Sequence, residues 1–239
     1  MQRIRFYFDV VCPYSYMESR VVEAAGVLAV EVEMGTATFR FETKNAPAGS
    51  AVELEIIPPE GKRQSISLPI QNELAEKTIQ IAPLFLWNPN EPYLYRVKLR
   101  LRRADEILDY VQSYFGMRKV ASSPSEDPNQ PETLCLNNVA RYHRGALHQA
   151  YYPEGVYTPR DVDRFKTDIA FAKQVGFNFL RVHIKIEDPL FLYYADTMGI
   201  LLMCDFPNFG EGGDTPLGRQ RYEVMMRKAI KRDFNHPSI

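Results

Sequence analysis

The chain has 239 residues, with 29 basic and 30 acidic side chains and a formal net charge of −1. So even a balance leaves no electrostatic footprint for nucleic acid or another polyanion. With 45% hydrophobic and 25% charged residues, the composition is that of a soluble globular protein of one large or two ordinary domains, and no apolar run approaches the ~20 residues of a membrane span.

In chain order, "IRFYFDVVCPYSYMES" (residues 4–19) comes first. A short apolar run enters Cys12-Pro13, and a helix start follows. Arg5 and Asp9 interrupt the run, so it does not read as a signal peptide. Ser15 stands where a resolving cysteine would sit, leaving monothiol chemistry at Cys12 or a buried turn residue as the two readings. Cys12, Cys135 and Cys204 are far apart and no C-x-x-C occurs, which argues against a disulfide framework or a metal site. The cysteine usage and the missing signal point to a cytoplasmic protein.

Residues 36–120 read as β structure. "TATFRFETKN", "AVELEIIPP", "RQSISLPI", "KTIQIAP" and "YLYRVKLRLRR" alternate apolar and polar residues, with turn signals between them. This pattern predicts an all-β sandwich. "SSPSEDPNQPET" (122–133) carries three prolines and reads as a linker.

Beyond it the period changes. "LNNVARYHRG" suggests a hairpin holding a structural His143, and "HRGALHQ" a short strand. Thr158-Pro159-Arg160-Asp161 reads as a helix start with Thr158 as its cap. Val162, Phe165, Ile169 and Ala172 form its apolar face, and Gly176 its end. "FNFLRVHI", a helix from Asp188-Pro189 to Gly199, "ILLMCDF" and a helix over "PLGRQRYEVMMRKAIKRDF" complete three βα units, implying a parallel sheet covered by helices. His236-Pro237 reads as a helix stop.

Polar residues gather where these strands end: His148 and Gln149, then Arg181, His183 and Lys185, then Asp205 and Asn208. Strand alternation puts Arg181, His183 and Lys185 on one side, a basic stripe suited to hydroxyl or carboxylate recognition. A solvated strand end is the plainer alternative. "NFGEGGDTP" (208–216) is glycine-rich, but Glu211 and Asp214 would repel a phosphate, so an ordinary loop is the better reading.

"LWNPNEPYLYRVKLRL" and "SYFGMRKV", followed by "LCLNNVARYHRGALHQAYYPEGVYTP", "GFNFLRVHIKIEDPLFLYYADTMGILLMCDFPNF" and "RDFNHPSI", resemble in order the immunoglobulin-like domain and the first part of the catalytic barrel of glycoside hydrolase family 2. That family comprises β-galactosidases, β-glucuronidases and β-mannosidases. The resemblance implies an immunoglobulin-like β-sandwich over 36–121 and, after the 122–133 linker, an incomplete (β/α)8 barrel over 134–239. It implies retaining hydrolysis of β-glycosides by two glutamates, both expected beyond Ile239, so that the chain is a truncated fragment, inactive by itself. No cofactor is implied, and the partner is a carbohydrate. His148, Arg181, His183, Lys185, Asp205 and Asn208 become the substrate-binding candidates, although the family's Arg-x-x-His is here Arg-x-His. Glu187, Glu211 and Asp205 lie in no motif that makes them substitutes for the glutamates.

Residues 3–34 instead resemble the first strand and helix of thioredoxin-like disulfide oxidoreductases and 2-hydroxychromene-2-carboxylate isomerases. Residues 1–35 are thus a thioredoxin-like βα prefix or an irregular lead-in, with a junction near Met34-Gly35. Two other functional readings stand beside the glycosidase: a thiol-dependent oxidoreductase or isomerase using Cys12, and a non-catalytic carbohydrate-binding module.

Overall fold

A computed structural model describes residues 7–8, 30–31, 35–123, 133–207, 215–233 and 235–239. Cys12, Ser15, Asn208, Glu211, Asp214 and most of the expected linker lie outside the described residues. The chain divides into two compact units, Met1–Arg141 and Tyr142–Ile239.

The first unit is built from antiparallel strands. β1 (Tyr7–Phe8) and β2 (Val30–Glu31) pair with opposite ends of β3 (Thr36–Glu42), whose full length also pairs with β6 (Leu74–Gln80). Thus residues from within the 1–35 stretch lie along an edge of β3. A second sheet has the order β5-β4-β7-β8, where β4 is Ala51–Ile57, β5 Gln64–Pro69, β7 Tyr95–Arg103 and β8 Glu106–Phe115.

Period-two patterning explains how the sheets stack. Ala37, Phe39 and Phe41 point inward from β3, and Tyr95, Val97, Leu99 and Leu101 from β7, into one shared core. Phe39 meets Phe115 edge-on with ring centroids 5.3 Å apart, and Tyr95 stacks on Phe115 at 4.9 Å. Each such side chain contributes about 1.5–3 kcal/mol by leaving water. The Tyr95 hydroxyl donates to the Pro83 carbonyl at 2.7 Å and accepts from the Phe85 N–H at 2.6 Å, so its polar tip is paired inside. β8 goes beyond the strands that the sequence pattern predicts. It is an edge strand, buried mainly in its second half, so its alternation is weak.

A small sheet of β9 (Val120–Ser123), β10 (Thr133–Leu136) and β11 (Val139–Ala140) closes this unit. The two ends of the expected linker are therefore paired strands. The predicted hairpin is β10–β11, turning at Asn137 and Asn138 with φ of 54° and 62°. Asn137 accepts the Lys119 N–H through its side-chain oxygen and donates to the Trp87 carbonyl, each at 3.0 Å.

The second unit alternates strand and helix. β12 (Gly145–His148), β13 (Phe179–Val182) and β14 (Leu201–Cys204) form a parallel sheet in that order. Between and after them come α1 (Asp163–Gln174), α2 (Pro189–Met198) and α3 (Pro216–Asp233). Phe165, Ile169, Phe191, Leu180, Val182 and Leu202 make the core.

The start of α1 corrects the sequence reading. Residues 155–158 form a tight turn in which the Thr158 N–H bonds the Gly155 carbonyl, so Thr158 caps nothing. The helix begins later, after Val162, which stays half exposed and makes no side-chain cap, while the Asp161 carboxylate accepts the Asp163 N–H at 3.0 Å. The C-terminus matches expectation. Gly176, at φ 89°, donates to the Lys173 carbonyl while Phe177 donates to that of Ala172, a Schellman ending. α2 also runs as read: Asp188 caps it by accepting the Leu190 N–H at 2.8 Å, and Gly199 ends it at φ 75°.

Candidate functional site

The strand ends gather polar side chains because the register aligns them. His148 lies opposite Val182, and Val182 opposite Cys204. The next residues, His183 and Asp205, continue the pairing through the His148 and Val182 carbonyls.

Two pairs form at the surface. Arg181 grips Asp205 with a fork, Nε to both carboxylate oxygens at 3.2 and 3.0 Å and Nη2 to Oδ2 at 2.8 Å. The Arg181 guanidinium holds the Asp205 carboxyl below its ordinary range, with the Ile184 N–H adding to the effect. Beside this pair, the His183 Nδ1 lies 3.1 Å from the Gln149 Oε1, which as an amide oxygen accepts, so Nδ1 carries the proton.

The basic stripe does not form. β13 ends at Val182, and Ile184 turns with φ 50°, which breaks the alternation and sends Lys185 inward. Lys185 is 6% exposed; its ammonium donates to the Tyr157 carbonyl at 2.5 Å and the Ala150 carbonyl at 3.4 Å, and pairs with Glu187 at 2.8 Å. His148 also turns inward. Its ring stacks on Phe191 at 4.5 Å, and its Nε2 lies 3.6 Å from Glu187 Oε2.

Glu187, which lies in no catalytic motif of the sequence, takes a central structural place. Its side chain is fully enclosed. Oε1 accepts the Asp188 N–H at 2.8 Å as well as Lys185, and its carbonyl accepts Arg232 of α3 at 2.6 Å. Burial alone would raise the carboxyl pKa, but His148, Lys185 and the Asp188 N–H outweigh it and hold it low. The only sequence signal was a carboxylate just before the Asp188-Pro189 helix start. Its burial depends on elements far apart in the chain.

His236 fits its reading as a helix stop. Its N–H bonds the Asp233 carbonyl, and its buried ring pairs with Asp196 Oδ2 while Asp196 Oδ1 accepts the Ser238 N–H at 3.0 Å. His143 packs edge-on to Phe179 at 5.3 Å. Cys135 and Cys204 are free thiols, and burial together with Asp233, Glu187 and Asp205 pushes Cys204 up to about 12. Among the described residues, no group of His, Cys, Asp and Glu is arranged to hold a metal ion, and no helix is long and apolar enough to cross a membrane.

Comparison with known proteins adds a second line. Residues 20–118 match the profile of "Glycosyl hydrolases family 2". Over these residues the chain is similar to glycoside hydrolase family 2. The family 2 match begins at residue 20, within the stretch whose opening resembles thioredoxin-like proteins. Similar proteins include a putative β-glucuronidase of Formosa agariphila, 24% identical over 88% of this chain and 20% of its own length. A β-galactosidase of Psychromonas ingrahamii is 29% identical over 76% of this chain and 18% of its own. The chain therefore spans about a fifth of these relatives. Its fold is similar to that of Bifidobacterium dentium β-glucuronidase complexed with coumarin-3-O-glucuronide, with TM-score 0.74 and 21% identity over 99% of this chain and 36% of that one. Parabacteroides merdae β-glucuronidase gives TM-score 0.75 at 18% identity over 89% of this chain and 26% of that one.

Proposed function

We propose that the chain carries the sugar-recognition half of a retaining β-glycosidase of family 2. In this reading the first unit is the immunoglobulin-like sandwich and the second holds three βα units of a (β/α)8 barrel, whose C-terminal strand ends form the sugar-binding mouth. One observation carries it: the Arg181–Asp205 and His183–Gln149 pairs stand together at those ends, in a fold similar to β-glucuronidases. A forked guanidinium–carboxylate pair and an imidazole–amide pair offer donors and acceptors side by side, the complement of a ring of hydroxyls. His148 and Lys185 support that mouth from below through Glu187 rather than touching substrate. Asn208 keeps its candidacy on resemblance alone.

The chain by itself turns over no glycoside in this reading. Retention needs two carboxyl groups ~5–5.5 Å apart, one of them free to attack. Glu187 is enclosed by Lys185 and His148, and Asp205 is held by Arg181. Nitrophenyl β-galactoside and β-glucuronide are the test: the purified chain releases no nitrophenol above buffer. Turnover by the purified chain that Asp205→Asn or Glu187→Gln abolishes would overturn the assignment of chemistry elsewhere. Sugar binding confined to the first unit would favour a carbohydrate-binding module instead.

A further inference from the structure

Two tyrosines of the second unit stay largely exposed, although the Tyr157 ring also lies 5.5 Å from the Lys185 ammonium. Tyr151 and Tyr157 are 63% and 49% exposed, with ring centroids 6.1 Å apart and planes tilted by 53°. The loop that carries them follows β12 directly, with Tyr151 three residues past His148, and it is held tightly. Tyr152 and Val156 exchange backbone hydrogen bonds at 3.1 and 2.7 Å. Gly155 leaves no space for a side chain, since a Cβ there would lie 1.8 Å from the Thr158 carbonyl oxygen. The Tyr152 ring anchors the loop inward against Phe165, 6.0 Å away. Lys185 closes it from beneath by donating to the carbonyls of both Ala150 and Tyr157. A buried lysine, balanced by a buried glutamate, thus fixes the backbone of Ala150, just before Tyr151, and of Tyr157 itself.

Rigid, outward-facing aromatic rings are costly to leave in water and suit a flat apolar partner. A pyranose ring has such a face: its axial C–H groups carry slight positive charge and meet the negative face of an aromatic ring. Its hydroxyls project sideways to polar neighbours. Tyr151 shares a cleft of about 560 Å³ with Gln149, Glu154, Arg164 and Asp168. Arg164 is matched by Asp168 at 2.8 Å, which leaves Glu154 to set the sign of the charge. A uronate is disfavoured there and a neutral sugar is not.

We propose that Tyr151 and Tyr157 form a stacking platform for a neutral pyranose ring, a second sugar position beside the strand-end mouth. The proposal rests on the sugar-recognition reading given above and adds a subsite to it. Ring-labelled tyrosine and histidine NMR on the 239-residue chain tests it, with lactose and methyl β-D-glucuronide as probes. The Tyr151 and Tyr157 ring signals move saturably with lactose and at least tenfold more weakly with the glucuronide. Tyr151→Ala and Tyr157→Ala each weaken lactose binding at least tenfold with unchanged helical circular dichroism, whereas Tyr151→Phe stays within about twofold. Lactose that shifts His183 but neither tyrosine overturns the platform and leaves the sugar-recognition reading standing. Tyrosine shifts with His183 unmoved support the platform and count against the mouth. Alanine variants that bind lactose like the wild type overturn the platform.

Discussion

Replacing Glu187 by glutamine removes one charge without changing shape, and leaves Lys185 enclosed with no counter-charge. The ammonium keeps the Tyr157 and Ala150 carbonyls but loses its partner at 2.8 Å. Breaking a buried pair from one side costs about 3–5 kcal/mol, because the remaining charge is desolvated and unbalanced. At a urea dependence of roughly 1.5 kcal/mol per M, the unfolding midpoint falls by about 2–3 M. The assay has a built-in separation. Helices α1, α2 and α3 lie in the second unit, so far-UV circular dichroism follows it, while Trp87, the chain's one tryptophan, reports by fluorescence on the first. The double variant Lys185→Met/Glu187→Met removes both charges and is expected to be more stable than Glu187→Gln alone. The acid limb follows with a definite sign. The Glu187 carboxyl is held below its unfolded value of about 4.3, so its stabilisation is complete above that pH and is lost as pH falls through the lower folded value. In Glu187→Gln this part of the acid limb disappears. A helical midpoint within about 0.3 M of wild type, or a double variant less stable than the single one, refutes the reasoning (about 0.5 kcal/mol, the spread of a surface substitution, is roughly 0.3 M at this slope).

Two further outcomes follow from close approach and burial. Gly145→Ala would set a Cβ 2.1 Å from the Phe179 carbonyl oxygen, so β12 and β13 must part; a loss of about 1–3 kcal/mol or more is expected in urea unfolding followed by circular dichroism, and an unchanged midpoint would contradict the close strand contact. Cys204, pushed up to about 12, is expected to react with iodoacetamide at pH 8 about a thousandfold more slowly than a peptide thiol, as read by peptide mass mapping; labelling at the peptide rate would deny its burial.

Much of the architecture was legible in the sequence because it is written in local terms. Alternation in residues 36–42, 51–57 and 95–103 marks strands, since a pleated strand sends successive side chains to opposite faces. Asp188-Pro189 and Gly199 mark α2 because capping and left-handed termination depend on one or two residues. The polar cluster at the parallel strand ends could also be located, since strand order and direction follow from the βα alternation. What each polar residue does there could not be. Arg181 and His183 stay at the surface while Lys185, two residues on, is buried; the difference is the Ile184 backbone at φ 50°, invisible to a periodic pattern. Glu187 becomes the centre of the buried charges because His148 of β12, Lys185 of its own loop and Arg232 of α3 converge on it, and those groups are brought together only when helices and sheet pack. Sequence alone determined which elements form and where their polar ends lie. The tertiary structure decided which charges meet water and which meet each other, because burial depends on packing between segments far apart in the chain.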